Sequence, residues 1–539
     1  MINYDGRSHK YPSVRNVVYG TKGMAASTQP LASSLGVEVM KKGGNAIDAA
    51  VAMAGLMPLL EPTGNGLGSD GFYLIWTGGK LYGLNASGFS PKALNADIVK
   101  ALGYNAVPGR GWLPVMVPGA VGGWVEMNKR FGTMKLTELW ERAAQYAEDG
   151  FPVAANVNPQ WQGEYNGISA EYKKDPKAFG PWMETFGKAG RAPLPGEIFK
   201  NPDYAKTIRE IAQTEGESFY KGDLMKKMVA FSKETGGYFE EEDFTGYQPE
   251  WVEPITTNYK GYDVYEMPPN GHGITTLMAL QMLKGFDLGN EKENAEVYHK
   301  LIECIKLAFV DTKKFVADPR YMKTKVEDML SDRYADARRA LIGDKAIFPE
   351  AGDPSCGDTV YFCVADGQGN MVSCIQSNYG RFGSGICIPG TGITLQNRGA
   401  NFSLDPESDN YLEGGKRAYH TIIPGFLAKD GQPIGPFGVM GGFMQPQGHM
   451  LVVVNTVDFG MTPQEALDAP RFQWVGDKKV QLEREVPAEI ARQLAAKGHQ
   501  IEIVNSNIGM GRGQIIWRRE DGVLMGGTES RADGSIVAF

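Results

Sequence analysis

The spacing of apolar residues near the start of the chain predicts two helices separated by a glycine pair. Apolar side chains recur at helical intervals ahead of Gly43-Gly44, at Leu31, Leu35, Val39 and Met40. Asn45 then offers a good N-cap for a second helix, and Asp48 follows three residues later, where its charge favours the helix N-terminus. We therefore expect two helices within residues 28–60.

Beyond residue 70 the pattern predicts a hairpin and then a long helical region. Two short apolar runs, residues 72–76 and 80–84, flank a glycine-rich turn and predict paired strands. An amphipathic helix is expected over residues 136–149. Residues 150–345 are mostly helical in pattern and charged, with a strand predicted at 263–266.

After residue 359 the period changes to that of strands. Apolar, β-prone runs occur at 359–365, 371–377, 393–396, 422–428 and 451–454. A capping box with proline at the first helical position, Thr462-Pro463-Gln464-Glu465, then opens a helix that reaches Asp468. Strands packed in two sheets between layers of helices would fit this order.

Composition narrows the class of protein without deciding its chemistry. With 539 residues, 42% of them hydrophobic and 22% charged, the chain has the composition of a globular enzyme with a large core. The formal charge of −8 argues against nucleic acid as a partner. Because no run of eighteen apolar residues occurs, we expect no membrane span.

The N-terminus and the cysteines predict the location of the protein. Residues 1–14 are polar and lack an apolar core segment, so no secretory signal is expected. The cysteines are odd in number and form no CxxC pair, which favours reduced thiols at Cys304, Cys356, Cys363, Cys374 and Cys387. We expect a cytoplasmic protein.

One residue in the strand-rich part would hold both a nucleophile and a base if the chain were cut before it. Thr359 follows a Gly-Asp pair and opens an apolar run. Cleavage between Asp358 and Thr359 would free an α-amine, with a pKa of about 8, beside the threonine hydroxyl. The same hydroxyl can make the cut by attacking the Asp358 carbonyl. An ordinary turn before a strand is the other interpretation of this pair.

Other catalytic patterns fail in their context, so we expect neither a cofactor nor a metal. The GxGxxG match at residues 66–71 follows a helix and precedes a strand, which is the reverse of a dinucleotide-binding loop. No GxSxG elbow is present. The histidines show no pair at metal-ligand spacing; they are His9, His272, His299, His420, His449 and His499.

The order of motifs resembles the γ-glutamyltransferase (glutathione hydrolase) family over most of the chain. The motifs include Asp358-Thr359, Asp366-Gly367-Gln368-Gly369-Asn370, Phe382-Gly383-Ser384-Gly385 and Gly441-Gly442. The resemblance implies an α+β fold, the four-layer αββα sandwich of N-terminal-nucleophile (Ntn) hydrolases. It also implies a precursor that cuts itself into a large part, residues 1–358, and a small part, residues 359–539. These two interleaved subunits would remain associated, with a dimer of such pairs as a further expectation.

The resemblance also implies support for Thr359 as nucleophile. Gly441 and Gly442 align with the family's oxyanion glycines, and adjacent glycines let backbone N–H groups approach a substrate closely. Ser377 aligns with a threonine whose hydroxyl supports the nucleophile. Without the alignment, a tight turn and a structural strand serine are the alternatives.

The positions that bind the γ-glutamyl head group in the family are changed in this chain. Ser87 occupies the place of the arginine that binds the α-carboxylate, and Asn401 that of the acid that binds the α-amine. Tyr379 replaces an asparagine, and His420-Thr421 replaces a serine pair. Because most of the charged clamp is absent, γ-glutamyl transfer is expected to be weak.

Arg398 offers a carboxylate anchor from another side of the predicted site. With His420 and Thr421 it would bind a small acid, a combination that resembles the oxamate amidohydrolase branch of the family; members like the cephalosporin acylases also remain open. The alternative is that Arg398 pairs with an internal carboxylate such as Asp405. Arg381 is similarly ambiguous.

These observations predict an enzyme that hydrolyses the amide of a small, carboxylate-bearing substrate through an acyl-Thr359 intermediate. A γ-glutamyltransferase or glutathione hydrolase with a rearranged glutamate pocket is the first alternative. The second, from another class of protein, is a non-catalytic binding protein that keeps the fold.

Overall fold

The computed structural model describes residues 14–349 and 358–539. Its strands are β1 (Val18–Gly20), β2 (Gly23–Ser27), β3 (Asp70–Thr77), β4 (Lys80–Ala86), β5 (Phe151–Pro152), β6 (Ile198–Phe199), β7 (Glu250–Val252), β8 (Ile255–Tyr259), β9 (Tyr262–Glu266), β10 (Asp358–Asp366), β11 (Met371–Tyr379), β12 (Gly425–Lys429), β13 (Gln432–Met440), β14 (Phe472–Gly476), β15 (Lys479–Glu483), β16 (Gln500–Val504), β17 (Arg512–Arg518), β18 (Leu524–Thr528) and β19 (Ser535–Ala538).

The helices of the same residues are α1 (Pro30–Lys41), α2 (Ala46–Leu60), α3 (Ala96–Ala101), α4 (Ala120–Phe131), α5 (Leu136–Asp149), α6 (Val157–Lys174), α7 (Pro176–Phe186), α8 (Pro202–Gln213), α9 (Glu217–Tyr220), α10 (Asp223–Glu234), α11 (Glu241–Thr245), α12 (Gly273–Leu283), α13 (Ala295–Phe315), α14 (Val326–Met329), α15 (Asp332–Arg339), α16 (Gln445–Val457), α17 (Pro463–Asp468) and α18 (Ala488–Ala496).

Two seven-stranded sheets pack face to face at the centre of the described molecule. One has the order β1-β18-β17-β13-β12-β9-β8, and the other β19-β2-β10-β11-β3-β4-β7. Neighbouring strands in both sheets run antiparallel. The sheets approach closely where Gly438 of β13 faces Tyr361 of β10, because a Cβ at position 438 would overlap the tyrosine ring.

Helices cover the outer face of each sheet. Helices α1, α2 and α4 pack on the sheet that contains β10, around one large apolar core. Helices α12, α16 and α17 pack on the other sheet, around a second core. The predicted four-layer αββα sandwich is therefore present.

The predicted large and small parts share both sheets. β10 lies between β2 and β11, so a strand from after residue 358 is flanked by one from before it and one from after it. In the other sheet β12 pairs with β9 in the same way. The region 150–345 is helix-rich as predicted, although it also contains the short strands β5 to β8, which were not predicted.

The helix and hairpin predictions near the start of the chain are confirmed. Asn45 caps α2, because its side-chain oxygen accepts from the N–H of Asp48 at 2.9 Å while Asp48 accepts from the N–H of Asn45 at 3.0 Å. The capping box at Thr462 likewise opens α17. These local hydrogen bonds depend on neighbouring residues alone, which makes them readable from sequence.

Two of the predicted strands are wrong. Residues 451–454 lie inside α16, a helix buried on nearly all sides, so its apolar residues show no helical period. Residues 393–396 form no strand of either sheet; Thr394 and Leu395 make isolated bridges to Cys387 and Gly68. The strand predicted from 422 begins later, at Gly425.

Among the described residues, no helix combines the length and apolar character that a bilayer crossing requires. Four of the cysteines are buried free thiols, namely Cys304, Cys363, Cys374 and Cys387. The fifth, Cys356, lies outside the described residues. Cytoplasmic location stays a prediction.

Candidate active site

Thr359, Ser377 and Asp70 lie side by side on three neighbouring strands. Ser377 of β11 is the direct partner of Asp70 in β3, so their side chains share one face of the sheet. Thr359 is the second residue of β10, where the register against β11 shifts. Its hydroxyl donates to Ser377 Oγ at 3.1 Å, and both residues are buried. The predicted nucleophile and its predicted support are thus in contact.

A glutamine that no sequence motif marked also contacts this hydroxyl. Gln445 is the first residue of α16, and its Nε2 donates to Thr359 Oγ1 at 3.3 Å. Its Oε1 accepts from the N–H of Ile423 at 3.0 Å. Because both ends of the amide are bonded, Gln445 presents a fixed donor to the threonine oxygen.

Gly441 and Gly442 form the turn that leads from β13 into α16. Their φ angles are +134° and +56°, in the region that favours glycine. The pair stands three and four residues before Gln445, next to the helix end that contacts Thr359. Backbone N–H groups at a helix N-terminus are available to an anion, so this position suits the predicted oxyanion role.

Tyr379, Arg398 and Thr421 form a continuous set of contacts next to Ser377. The N–H of Tyr379 donates to Ser377 Oγ at 2.8 Å, and the guanidinium carbon of Arg398 lies 4.5 Å from the centroid of the Tyr379 ring. Arg398 Nη1 donates to Thr421 Oγ1 at 2.7 Å. Three predicted substrate-binding residues are therefore gathered beside the predicted nucleophile.

The pairing of Arg398 with Asp405 is wrong. Asp405 is exposed, whereas Arg398 is 1% exposed and bonds Thr421. In the described part of the chain, Nε and Nη2 of Arg398 have no hydrogen-bond partner. Burial lowers the pKa of Arg398 to about 10, so the group remains a cation at neutral pH. Two unused donors on a buried cation are suited to a carboxylate.

His420 reaches the site through Asp70. Its Nε2 lies 3.0 Å from Asp70 Oδ2, and its Nδ1 accepts from the N–H of Ile422, which assigns the proton to Nε2. Burial, with Arg398 as the next cause, holds the pKa of His420 well below its usual range. Burial also raises the pKa of Asp70 to about 7, opposed by the charge of Arg398. His420 is therefore a neutral donor to Asp70.

The family is decided by comparison of the whole sequence. The sequence model of the gamma-glutamyltranspeptidase family matches residues 32–539. The chain belongs to this family. Glutathione hydrolase-like YwrD proenzyme from Bacillus subtilis (strain 168) is 36% identical over 535 residues, which are 97% of this chain and 99% of that protein. Oxamate amidohydrolase proenzyme from Klebsiella pneumoniae is 32% identical over 533 residues, 96% of this chain and 99% of that protein.

A solved structure supports the same assignment. Cephalosporin acylase from Bacillus halodurans superposes with a TM-score of 0.97 at 52% identity, covering 100% of this chain and 99% of that one. The predicted family, fold class and enzyme class are confirmed. This gamma-glutamyltranspeptidase family member is an Ntn hydrolase that acts on amide bonds.

Two of the positions predicted to bind substrate in this family member make hydrogen bonds to other residues of the chain. The Ser87 hydroxyl donates to Asn85 Oδ1 at 2.7 Å. Asn401 Nδ2 donates to the backbone oxygen of Tyr419 at 3.1 Å. Ser87 nevertheless lies near Asp70, since it follows β4 directly and Gly71 pairs with the last residue of that strand. Contact of either residue with substrate stays a prediction.

The fold also brings together histidines that are distant in sequence. His299 Nδ1 lies 2.8 Å from His499 Nε2, and Glu303 Oε1 lies 3.8 Å from the same nitrogen of His499. These are metal-ligand types, but Lys306 Nζ lies 2.5 Å from Glu303 Oε1 and already compensates its charge. Sequence spacing could not indicate this cluster. The expectation of no metal stays a prediction.

The predicted cut adjoins a part of the chain outside the described residues. Residues 350–357 are not described, and Asp358 is the first residue of β10. Cleavage between Asp358 and Thr359, and the resulting large and small parts, stay predictions.

Proposed function

We propose that this family member is a proenzyme that cuts itself between Asp358 and Thr359. The mature form hydrolyses the amide of a small, carboxylate-bearing acyl group through an acyl-Thr359 ester. The contact of Thr359 Oγ1 with Ser377 at 3.1 Å carries this proposal, because it holds the hydroxyl of the first residue after the cut in a defined position. The relatives named as proenzymes support it.

Self-cleavage requires no group beyond the chain and water. Thr359 Oγ1 attacks the Asp358 carbonyl carbon, the hydroxyl proton passes to the Thr359 nitrogen as the peptide C–N bond breaks, and Asp358 becomes an ester on the threonine oxygen. Water then hydrolyses the ester and leaves a free amine on Thr359. The two parts stay associated, since β10 is bonded on one side to β2 of the large part and on the other to β11 of the small part.

Turnover repeats the same chemistry on an external amide. The Thr359 amine takes the hydroxyl proton while the oxygen attacks the substrate carbonyl carbon. N–H groups at Gly441-Gly442 and the start of α16 stabilise the oxyanion, and Ser377 and Gln445 orient the nucleophile. The leaving amine takes the proton, and water then releases the acid from Thr359.

The unused donors of Arg398 favour an acyl group that carries a carboxylate. Its Nε and Nη2 have no partner among the described residues, and Tyr379 connects it to Ser377. The relatives named for oxamate and for cephalosporins favour amide hydrolysis with different acyl groups. The relative named glutathione hydrolase-like keeps γ-glutamyl amides as the second candidate. Cytoplasmic location and a dimer remain expectations.

Three kinds of substrate test the proposal on wild type and Arg398→Ala. We expect wild type to hydrolyse oxamate, detected by ammonia release, or glutaryl anilide. For whichever of these carboxylate-bearing substrates is hydrolysed, kcat/KM should fall about 100-fold or more in Arg398→Ala, since a charged hydrogen-bond pair is removed. An uncharged pentanoyl anilide should lose much less. Preference for γ-glutamyl anilide, with transfer to a dipeptide, would favour the second candidate. An uncut chain that binds these amides without turnover would indicate a binding protein.

A further inference from the structure

A buried carboxyl group lies in the same row of strand ends as the nucleophile. Asp70 at the start of β3 is the direct partner of Ser377, and Cβ atoms of such partners are about 4.5–5.5 Å apart. Thr359 lies on the far side of Ser377. Asp70 is fully buried, so any charge on it acts across a medium of low dielectric constant.

Asp70 is the carboxyl group whose charge acts on Arg398. Arg398 forms no ion pair with a described carboxylate, and the effect of Asp70 is the largest charge effect on it. Arg417, the other cation that acts on Asp70, is already paired with Glu250 at 2.6 Å. The remaining titratable groups that face Asp70 are His420, Tyr73, Tyr220 and Tyr247, and burial disfavours the charged form of each.

We propose that Asp70 determines the charge of the acyl group that this site accepts, because its carboxylate competes with a substrate carboxylate for Arg398. When Asp70 is ionised, an anionic acyl group therefore binds together with one proton, which passes from solvent to Asp70. The inference rests on the proposed role of Arg398 as carboxylate anchor. No covalent bond other than the O–H bond of Asp70 is made in this step.

Two carboxylates in one buried pocket do not ionise together readily. The pKa of Asp70 is raised to about 7 by burial, against the opposing pull of Arg398. A second carboxylate on Arg398 would raise it further. At a pH below about 7 the Asp70 of the free enzyme is already protonated, and binding takes up no proton. At a higher pH Asp70 is ionised, and binding takes up one proton. The affinity for a dicarboxylate should then fall about tenfold for each pH unit above the pKa of Asp70 in the free enzyme.

The hydrogen bonds of Asp70 are compatible with this exchange. The N–H of Gly88 donates to Oδ1 at 2.9 Å, and His420 Nε2 lies 3.0 Å from Oδ2. The side chain of Gln396 also favours the ionised form of Asp70, which leaves about one of the four lone-pair positions of the carboxylate unused. A protonated Asp70 also becomes a donor, which suits a neighbouring substrate carboxylate.

Calorimetry of glutarate binding to the mature enzyme tests the proposal. Titrations in two buffers of different ionisation enthalpy give the number of protons taken up. We expect close to none at about pH 6, where Asp70 is mostly protonated and free glutarate mostly ionised, and close to one at about pH 8. Asp70→Asn should take up about one proton fewer than wild type at the higher pH, which leaves at most the fraction of a proton that the Thr359 amine, with its pKa of about 8, takes up beside a bound anion. Asp311→Asn is the matched control, since Asp311 is a buried carboxyl of α13 with raised pKa, paired with Arg338, and should behave as wild type.

Wild type alone can overturn the proposal, even if Asp70→Asn does not fold. Absence of proton uptake at the higher pH would contradict it, as would uptake in Asp70→Asn equal to that of wild type. Tighter binding of L-glutamate than of glutarate, lost in Asp70→Asn, would show instead that ionised Asp70 holds an amino group. If the enzyme cuts itself and hydrolyses amides but does not bind glutarate, the proposed carboxylate site at Arg398 would be overturned, whereas acyl-Thr359 chemistry would not. An uncut, inactive chain that binds glutarate with proton uptake would overturn the proposed function alone.

Discussion

The hydroxyl of Thr359 is held between side chains from two other elements. It donates to Ser377 of β11 and accepts from Gln445 of α16, and all three side chains are buried. A nucleophile bonded in this way has little orientational freedom to lose when a substrate binds. Because Ser377 also accepts the N–H of Tyr379, the same serine connects the nucleophile to the contacts of Arg398.

Replacing Ser377 by alanine should lower kcat about 10–100-fold with little change in KM. One hydrogen bond to an oxygen that changes charge during the reaction is lost, which corresponds to about 1.5–3 kcal/mol. Steady-state kinetics of the mature enzyme, separated from uncut chain, measure this. Ser377→Thr keeps the hydroxyl and should remain within about threefold of wild type. A kcat of Ser377→Ala equal to that of wild type would remove the serine from the mechanism.

Residues of the site differ in how far sequence could reveal them. Thr359 and Ser377 were predicted because a family motif surrounds them, and the structure places them in contact. Gln445 was missed because glutamine is neither titratable nor nucleophilic. Asp70 was missed because its place opposite Ser377 arises only when β3 pairs with β11. Contacts between distant strands leave no local pattern in the chain.

Helices α2 and α16 are both buried on nearly all sides, so only the residues at their ends could mark them in the sequence. All residues of α2 are buried, yet Asn45 and Asp48 mark its start. Helix α16 begins at Gln445 without a side-chain cap, and its apolar middle resembled a strand. Chemistry at helix ends was thus a better guide than hydrophobic period for elements without a solvent-facing side.

Removal of the cap of α2 should destabilise the protein without changing its kcat. In Asn45→Ala the N–H groups of Ile47 and Asp48 lose their acceptor and the carbonyl of Phe131 loses a donor. We expect the free energy of unfolding to fall by about 1–2 kcal/mol, measured by urea denaturation.

The matched control for this change is Asn95→Ala. Asn95 caps the short helix α3 through one hydrogen bond, to the N–H of Ile98 at 3.1 Å in an exposed setting. Its loss should cost about 0.5 kcal/mol, near the lower end for caps. Equal losses in the two variants would contradict the importance of the α2 cap.

Across the whole molecule, the site exists only because the predicted large and small parts interleave. Thr359, Ser377, Arg398 and Gln445 come from the small part, whereas Asp70 comes from the large one. A cut before Thr359 would remove no strand from either sheet, since β10 starts at residue 358 and stays paired on both sides. The order of strands in the sheets could be expected only through the family resemblance, because periodicity gives no information on which strands pair.

Intact mass spectrometry of the purified, active protein tests the proposed cut most directly, since the chemistry depends on freeing the amine of Thr359. We predict two polypeptides, residues 1–358 and 359–539, whose masses sum to that of the full chain plus one water. Thr359→Ala should give a single full-length mass and no turnover. A single uncut polypeptide in fully active enzyme, or a small part that begins at another residue, would contradict Thr359 as an N-terminal nucleophile.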